Sequence, residues 1–182
     1  AARLVPGLGS RGIFVIDVGN ATAGVTDAPL VHPGLGPDLP DGIESIVRTP
    51  TAPGWLVAPV VAALVDIGLT GVSGTIALPA TSRGRAAIDE LGQQVVASFS
   101  GQDPPRRVFP DGLAFDVVPE EAEVEEWSEA ERLAAAEVAS LTGFGAERVA
   151  LTFGIFPLFA GMVASLHLRG VPAGSVEEAL RA

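Results

Sequence analysis

The sequence predicts an α+β fold, in which a mixed sheet packs with helices, for this chain of 182 residues. Short apolar runs typical of buried strands alternate with segments of helical periodicity, but too irregularly for a purely parallel sheet. Hydrophobic residues make up 48% of the sequence and charged residues 18%. This balance indicates a folded globular protein with one good core or two small ones.

The first predicted strand covers residues 13–18, where an apolar run ends in Asp17 before the turn residues Gly19 and Asn20. We expect this strand to be parallel to its neighbours and central in a sheet. The stretch 27–53 is rich in proline and glycine. Such a composition suits an extended connection between domains rather than a helix.

Helices and strands follow in the second part of the chain. Apolar spacing predicts a helix over 55–67, with Pro59 in its first turn and Gly68 as its stop. Further predicted elements are a strand over 72–78, a helix over 86–99 and a strand over 113–118. Ser128 and Glu131 have the spacing of a capping box, which predicts a helix from there to about Thr142.

Composition excludes several classes of function. The net charge of -11 opposes binding to phosphate backbones and anionic lipid, so nucleic acid is a poor partner. The sequence has no cysteine. Disulfides, thiolate metal ligands and thiol nucleophiles are therefore all excluded for this chain.

Residues 149–168 are uncharged over a length that could cross a bilayer as a helix. Gly154, Pro157 and Gly161 would break such a helix in its middle. A buried strand, a turn and a second buried element fit this stretch better, so we do not expect a membrane protein.

The local motifs favour structural roles. Residues 7–12 (GLGSRG) match the glycine fingerprint of dinucleotide-binding sites, but they precede a strand instead of following one, which favours a plain loop. His32 and His167 lack a carboxylate at metal-ligand spacing, and we predict structural roles for both and no metal site. Asp17 is the strongest isolated carboxylate because sites lie at strand ends in open α/β sheets, although turn capping explains it better.

A nucleophilic triad can be assembled on paper from Ser82, Asp116 and His167. Any chain of this size offers such triples, and the sequence around Ser82 is not a nucleophile elbow. We therefore discount a hydrolase of this type.

Several segments stand in the order and spacing of the aspartate-semialdehyde dehydrogenase family and resemble especially its Usg-like branch. Asp116 stands where asparagine is usual, and Glu131 and Glu137 match the glutamates of a family helix. The segments are 12–33 (GIFVIDVGNATAGVTDAPLVHP), 80–91 (ATSRGRAAIDEL), 108–119 (VFPDGLAFDVVP), 127–143 (WSEAERLAAAEVASLTG) and 155–168 (IFPLFAGMVASLHL).

This resemblance implies a fold like the C-terminal domain of glyceraldehyde-3-phosphate and aspartate-semialdehyde dehydrogenases, preceded by a partial Rossmann-type strand segment. Residues 1–50 would be the end of a nucleotide-binding domain and its connection to the next domain. Residues 51–170 would form the semialdehyde dehydrogenase-like dimerisation domain, and residues 171–182 a C-terminal helix. The family binds NADP through an earlier domain, so we expect no cofactor on this chain itself. It also implies a cytoplasmic protein.

At the positions where the resemblance places the family's catalytic residues, this chain has residues that cannot perform the family's chemistry. Family members use a cysteine thiolate, which Ala52 replaces here, and a glutamine, which Leu78 replaces. Ile155 stands at the substrate-binding arginine and Met162 at the acid/base histidine, while a Ser-Gly pair has become Thr81-Ser82. None of the four apolar side chains can attack a carbonyl, exchange a proton or pair with a carboxylate. We expect these positions to pack as core.

Three functions remain open at this point. The first is a catalytically silent homologue that dimerises through residues 77–88 and 153–166. The second is an enzyme with the same fold but a changed reaction, using Asp17 or Asp116 with Ser82 or Arg83. The third is a regulatory partner that forms a mixed dimer with an active, cysteine-containing homologue.

Overall fold

A computed structural model describes residues 7, 8, 11, 13–22, 28–35, 46–120 and 127–181. Its helices are α1 (Ala52–Val65), α2 (Arg85–Ser100), α3 (Glu129–Thr142) and α4 (Ala173–Arg181), and short 3₁₀ turns cover Ala80–Arg83 and Ala146–Arg148. Its strands are β1 (Val15–Asp17), β2 (Ile46–Arg48), β3 (Gly71–Leu78), β4 (Val118–Pro119), β5 (Val149–Ile155) and β6 (Val163–Arg169).

The strands form two sheets. Strands β1 and β2 pair in parallel, with Val15 opposite Ile46 and Asp17 opposite Arg48. The second sheet has the order β4-β5-β3-β6, and its strand β4 runs antiparallel to β5. In the described part of the chain, parallel and antiparallel pairs thus occur together with helices, which confirms the predicted α+β class.

Contacts divide the chain into two compact units. The first comprises residues 1–73, 132–150 and 168–182, and the second comprises 74–131 and 151–167. Each unit buries apolar side chains of its own. In the first unit these include Val47, Val57, Val61, Leu64 and Val138. In the second they form a cluster of Ala80, Ala87, Leu91, Phe109, Leu113 and Ile155.

Helix α1 begins three residues earlier than the apolar spacing predicts. Thr51 caps it, because its hydroxyl accepts a hydrogen bond from the backbone N–H of Gly54. The prediction that Pro59 lies in the first turn is therefore wrong, since this proline is inside the helix. Its ring leaves one helical hydrogen bond unmade, and Pro59 is exposed, where water can solvate the freed carbonyl.

The predicted strand over 113–118 is also wrong for most of its length. Only Val118 and Pro119 form a strand, β4. The backbone N–H groups of Leu113 and Ala114 donate instead to the side chain of Gln94 on α2. Because a side chain takes these donors, they are not available to a neighbouring strand.

The capping box before α3 is confirmed. Ser128 Oγ accepts a hydrogen bond of 3.2 Å from the N–H of Glu131, and Glu131 Oε2 accepts one of 2.8 Å from the N–H of Ser128. The other oxygen of Glu131 accepts a hydrogen bond of 2.7 Å from the N–H of Phe153 on β5. One buried carboxylate therefore both starts α3 and holds a strand.

The long apolar stretch forms the largely buried strand β5, a turn and strand β6, as the glycines and the proline predict. The expectation that the second element is buried is wrong, because exposed and half-buried residues alternate along β6. Among the described residues, no helix has the length and apolar character needed to cross a membrane. Residues 121–126, which belong to a glutamate-rich run, and residues 9, 10 and 12 of the glycine-rich segment at 7–12 fall outside the described residues.

Candidate functional site

The N-terminus of α1 is the position where the sequence resemblance places the nucleophile of semialdehyde dehydrogenases. Ala52 is the first residue of this helix and is exposed. Free backbone N–H groups and the positive end of the helix dipole lie at such a terminus. A nucleophile or an anion would be favoured here, whereas the methyl group of Ala52 offers no chemistry.

Glu137 from α3 occupies the space beside this helix terminus. Its side chain is completely buried, and Oε2 accepts hydrogen bonds from the backbone N–H of Thr51 at 2.8 Å and from its hydroxyl at 2.6 Å. Its Oε1 lies 3.3 Å from Nη1 of Arg48 on β2. A Cβ atom at residue 54 would collide with Oε2, so any other residue there would displace the Glu137 carboxylate. The protein thus supplies its own carboxylate to this end of α1.

Trp55 of α1 forms an aromatic pair with His32, which lies outside the helix. The ring of His32 lies 4.2 Å from the ring of Trp55, centroid to centroid. Both ring nitrogens of His32 are buried without a hydrogen-bond partner in the described part of the chain. The imidazole packs against the indole ring, and its structural role stays a prediction.

The other three replaced positions lie in the second unit and differ in burial. Ile155 belongs to the apolar core cluster and is 1% exposed, and Leu78 at the end of β3 is 7% exposed. Met162, just before β6, is half-buried. The expectation that all four positions pack as core is therefore wrong for Ala52, which is exposed, and for Met162, which is only half-buried.

Asp17 acts as a turn residue. Its carboxylate accepts hydrogen bonds from the N–H of Gly19 at 3.1 Å and from the N–H and hydroxyl of Thr22, both at 2.7 Å. Burial alone would raise the pKa of Asp17, but the hydrogen bonds from Thr22, Ala21 and Gly19 outweigh it and lower the pKa below its ordinary value. The carboxylate therefore caps the turn after β1, which is the structural role that the sequence predicts for Asp17.

The remaining candidates do not converge either. Asp116 is exposed and accepts a hydrogen bond from its neighbour Val117. Arg83 pairs with Glu120 at 2.9 Å, and Ser82 is exposed on the 3₁₀ turn after β3. Within the described ranges, His, Cys, Asp and Glu side chains do not form a cluster of three that could bind a metal ion.

The sequence did not reveal the pair Glu90 and Gln94 on α2. Glu90 accepts hydrogen bonds from the N–H groups of three consecutive residues, 107–109, and Gln94 accepts from those of 113 and 114. Burial would raise the pKa of Glu90, but these N–H donors, from Phe109 first, and the charge of Arg107 lower it. Two buried polar residues four apart on an otherwise apolar helix face are the signal that could have found them.

Comparison with known proteins identifies the fold. The chain matches no protein-family model and no curated protein. Its structure is similar to aspartate semialdehyde dehydrogenase II from Vibrio cholerae complexed with ASA, at 21% identity and a TM-score of 0.87 over 99% of this chain and 56% of that one. A probable aspartate-semialdehyde dehydrogenase from Pseudomonas aeruginosa gives 24% identity and a TM-score of 0.83 over 100% and 58%.

A third similar structure is aspartate semialdehyde dehydrogenase with NADP from Candida albicans, at 17% identity and a TM-score of 0.59 over 100% of this chain and 53% of that one. This chain thus spans little more than half the length of the dehydrogenases that it resembles. The likeness establishes a semialdehyde dehydrogenase fold in the described region.

Proposed function

We propose that the chain is a semialdehyde dehydrogenase-like module of the Usg-like branch that has lost the thiol-dependent reaction and acts as a dimerising protein. The observation that carries this proposal is Ala52 at the N-terminus of α1, in a chain without cysteine. The fold supports it, because the framework around the former nucleophile position is kept. If an N-terminal nucleotide-binding domain is present, NADP would bind to that domain and not to the residues of this chain.

The chemistry supports the loss of activity at each step. A thiolate must attack the aldehyde, hydride must pass to NADP, and phosphate must then release the acyl group. Ala52 supplies no nucleophile for the first step. Ile155 and Met162 supply neither a cation for a substrate carboxylate nor a proton for the leaving groups. Because Ile155 is part of the apolar core, a charged side chain at this position would be unpaired and buried.

Exposed apolar side chains support the dimerising role. In the segment 153–166, Val163 is 62% exposed, Phe159 is 50% exposed and Leu158 is 38% exposed. They lie in one of the two segments, 77–88 and 153–166, that the family resemblance assigns to the subunit interface. A patch of large exposed side chains is costly for a monomer and is typical of an interface between subunits.

We expect the purified protein at micromolar concentration to scatter light with twice the mass of one chain. Multi-angle light scattering after gel filtration measures this directly. A monomer across the micromolar range would contradict the proposed homodimer. Co-purification with a cysteine-containing homologue in a mixed dimer would replace it with the regulatory-partner hypothesis.

The changed-reaction hypothesis gains no support from the candidate carboxylates. It requires a cleft with a carboxylate whose pKa is shifted so that it can exchange protons near neutral pH. The pKa of Asp17 is lowered instead, and its oxygens are occupied by backbone and side-chain donors. Asp116 is exposed on a loop.

A further inference from the structure

An exposed apolar ridge lies on the C-terminal half of α2 and the segment after it. Its members are Val96, Phe99, Phe115 and Val117, which are 66%, 81%, 68% and 47% exposed. The rings of Phe99 and Phe115 meet edge to face at 5.8 Å. Two mutually supported aromatic rings that project into solvent have the character of an interface anchor.

The fold holds this ridge in a strained conformation. Phe115 has φ of 68°, in the left-handed region that a residue with a Cβ rarely adopts. The buried amide of Gln94 fixes the backbone just before it by accepting hydrogen bonds from Leu113 and Ala114. Strain that is fixed from the core and that presents an aromatic ring to solvent indicates a function for that ring.

A groove lies beside the ridge on the same helix, with a volume of about 760 Å³. Gly92 lies in its wall, and the nearest side chain there is the ring of Phe159. Val96 belongs to both the groove and the ridge. Two acidic residues edge the groove, and one of them, Asp89, pairs with Arg85 at 3.0 Å. The lining also includes Ile88 and the second acidic residue, Asp103.

The ridge and the groove are spaced so that the ridge of each copy can fill the groove of the other. Gly92 and Phe99 are seven residues apart, which is about 10.5 Å along the helix. If two α2 helices pack antiparallel about a two-fold axis midway between these residues, Phe99 of each copy faces Gly92 of the other. The midpoint falls beside Val96, whose exposed side chain would then meet its own counterpart.

We infer that α2 packs against α2 of a second copy, with the two-fold axis at Val96 and with Phe99 seated in the partner's groove. The inference rests on the proposed dimerisation and specifies its geometry. It is continuous with the surface proposed above, because Ile88 and Phe159 of the groove belong to those two segments. A large aromatic side chain inserted next to glycine gives the close helix approach that a stable interface needs.

The cysteine-free chain allows a direct test by cross-linking. We expect Val96→Cys, oxidised with glutathione disulfide, to form a covalent dimer at least about tenfold faster than Ala86→Cys, because only cysteines near the axis reach disulfide distance. Ala86 is also exposed on α2, but its two copies would lie roughly 30 Å apart. In parallel, Phe99→Ser should weaken dimerisation roughly thirtyfold or more, as loss of a central anchor does. Val18→Ser, at an exposed residue outside α2 and outside both proposed interface segments, should weaken it much less.

The outcomes separate the two proposals. Rapid cross-linking at residue 96, together with the Phe99→Ser effect, supports the α2 pairing. Equal rates at 96 and 86 in a protein that light scattering shows to be dimeric overturn the pairing and leave the dimer standing. A monomeric wild-type protein overturns the dimer and the pairing together.

Discussion

Replacement of Glu137 by alanine is expected to lower the free energy of unfolding by roughly 3–5 kcal/mol, the cost of breaking a buried ion pair from one side. Arg48, whose side chain is 19% exposed, loses its carboxylate partner at 3.3 Å. Thr51 loses the acceptor for both its N–H and its hydroxyl at the start of α1. Urea unfolding followed by circular dichroism measures the change.

Glu129→Ala is the matched control, because this glutamate is on the same helix but exposed. Its loss should cost less than about 1 kcal/mol, the usual worth of an acidic side chain in a first turn. Equal and small losses in the two variants would show that the Glu137 cluster contributes little to the fold of the first unit.

Replacement of Glu90 by glutamine is expected to cost roughly 2–3 kcal/mol at pH 7, since a neutral amide is a weaker acceptor for buried N–H donors than a carboxylate. The residue accepts hydrogen bonds of 2.8 to 2.9 Å from Arg107, Val108 and Phe109. These bonds fasten the segment after α2 to the helix. Chemical denaturation of the wild type and the variant measures the loss.

This loss should depend on pH in a defined direction. The pKa of Glu90 in the folded protein lies below its ordinary value of 4.5. Its contribution is therefore complete above about pH 4.5 and is lost as the pH falls below that value through the folded pKa. The difference in unfolding free energy between wild type and Glu90→Gln should therefore shrink as the pH falls from 7 to 3. The control Asp89→Asn changes the exposed neighbour and should differ only slightly from wild type at pH 7 and at pH 3. A difference that is constant down to pH 3 would contradict the ionised clamp.

Local patterns predicted the elements whose stability is local. The capping box of Ser128 and Glu131, the apolar spacing of α2 and the strand that ends in Asp17 all depend on neighbours within a few residues. The stretch 113–117 could not be predicted in the same way. Its backbone donors bond to Gln94, about twenty residues earlier, and no local periodicity encodes that contact.

The candidate site was predictable to a different extent. The family resemblance placed the nucleophile position at Ala52, which is the first residue of α1. That this helix terminus corresponds to the family's active site stays a prediction. The apolar run around Ile155 correctly indicated burial. The exposure of Ala52 was not predictable from its apolar character, because position in a helix, and not side-chain type, decides whether an alanine is covered. The role of Glu137 as a hydrogen-bond acceptor depends on a contact between α1 and α3, so it could not be predicted from local sequence either.

The central claim is that this chain cannot perform thiol-dependent semialdehyde oxidation. The most direct measurement incubates the full-length protein with aspartate semialdehyde, phosphate and NADP, and follows NADPH by absorbance at 340 nm beside a cysteine-containing dehydrogenase. We predict no NADPH formation and no acyl adduct by intact mass. Ala52→Cys should gain a thiol that iodoacetamide alkylates and still give no turnover, because Ile155 and Met162 remain. Phosphate-dependent NADPH formation by the unaltered, cysteine-free protein would contradict the account.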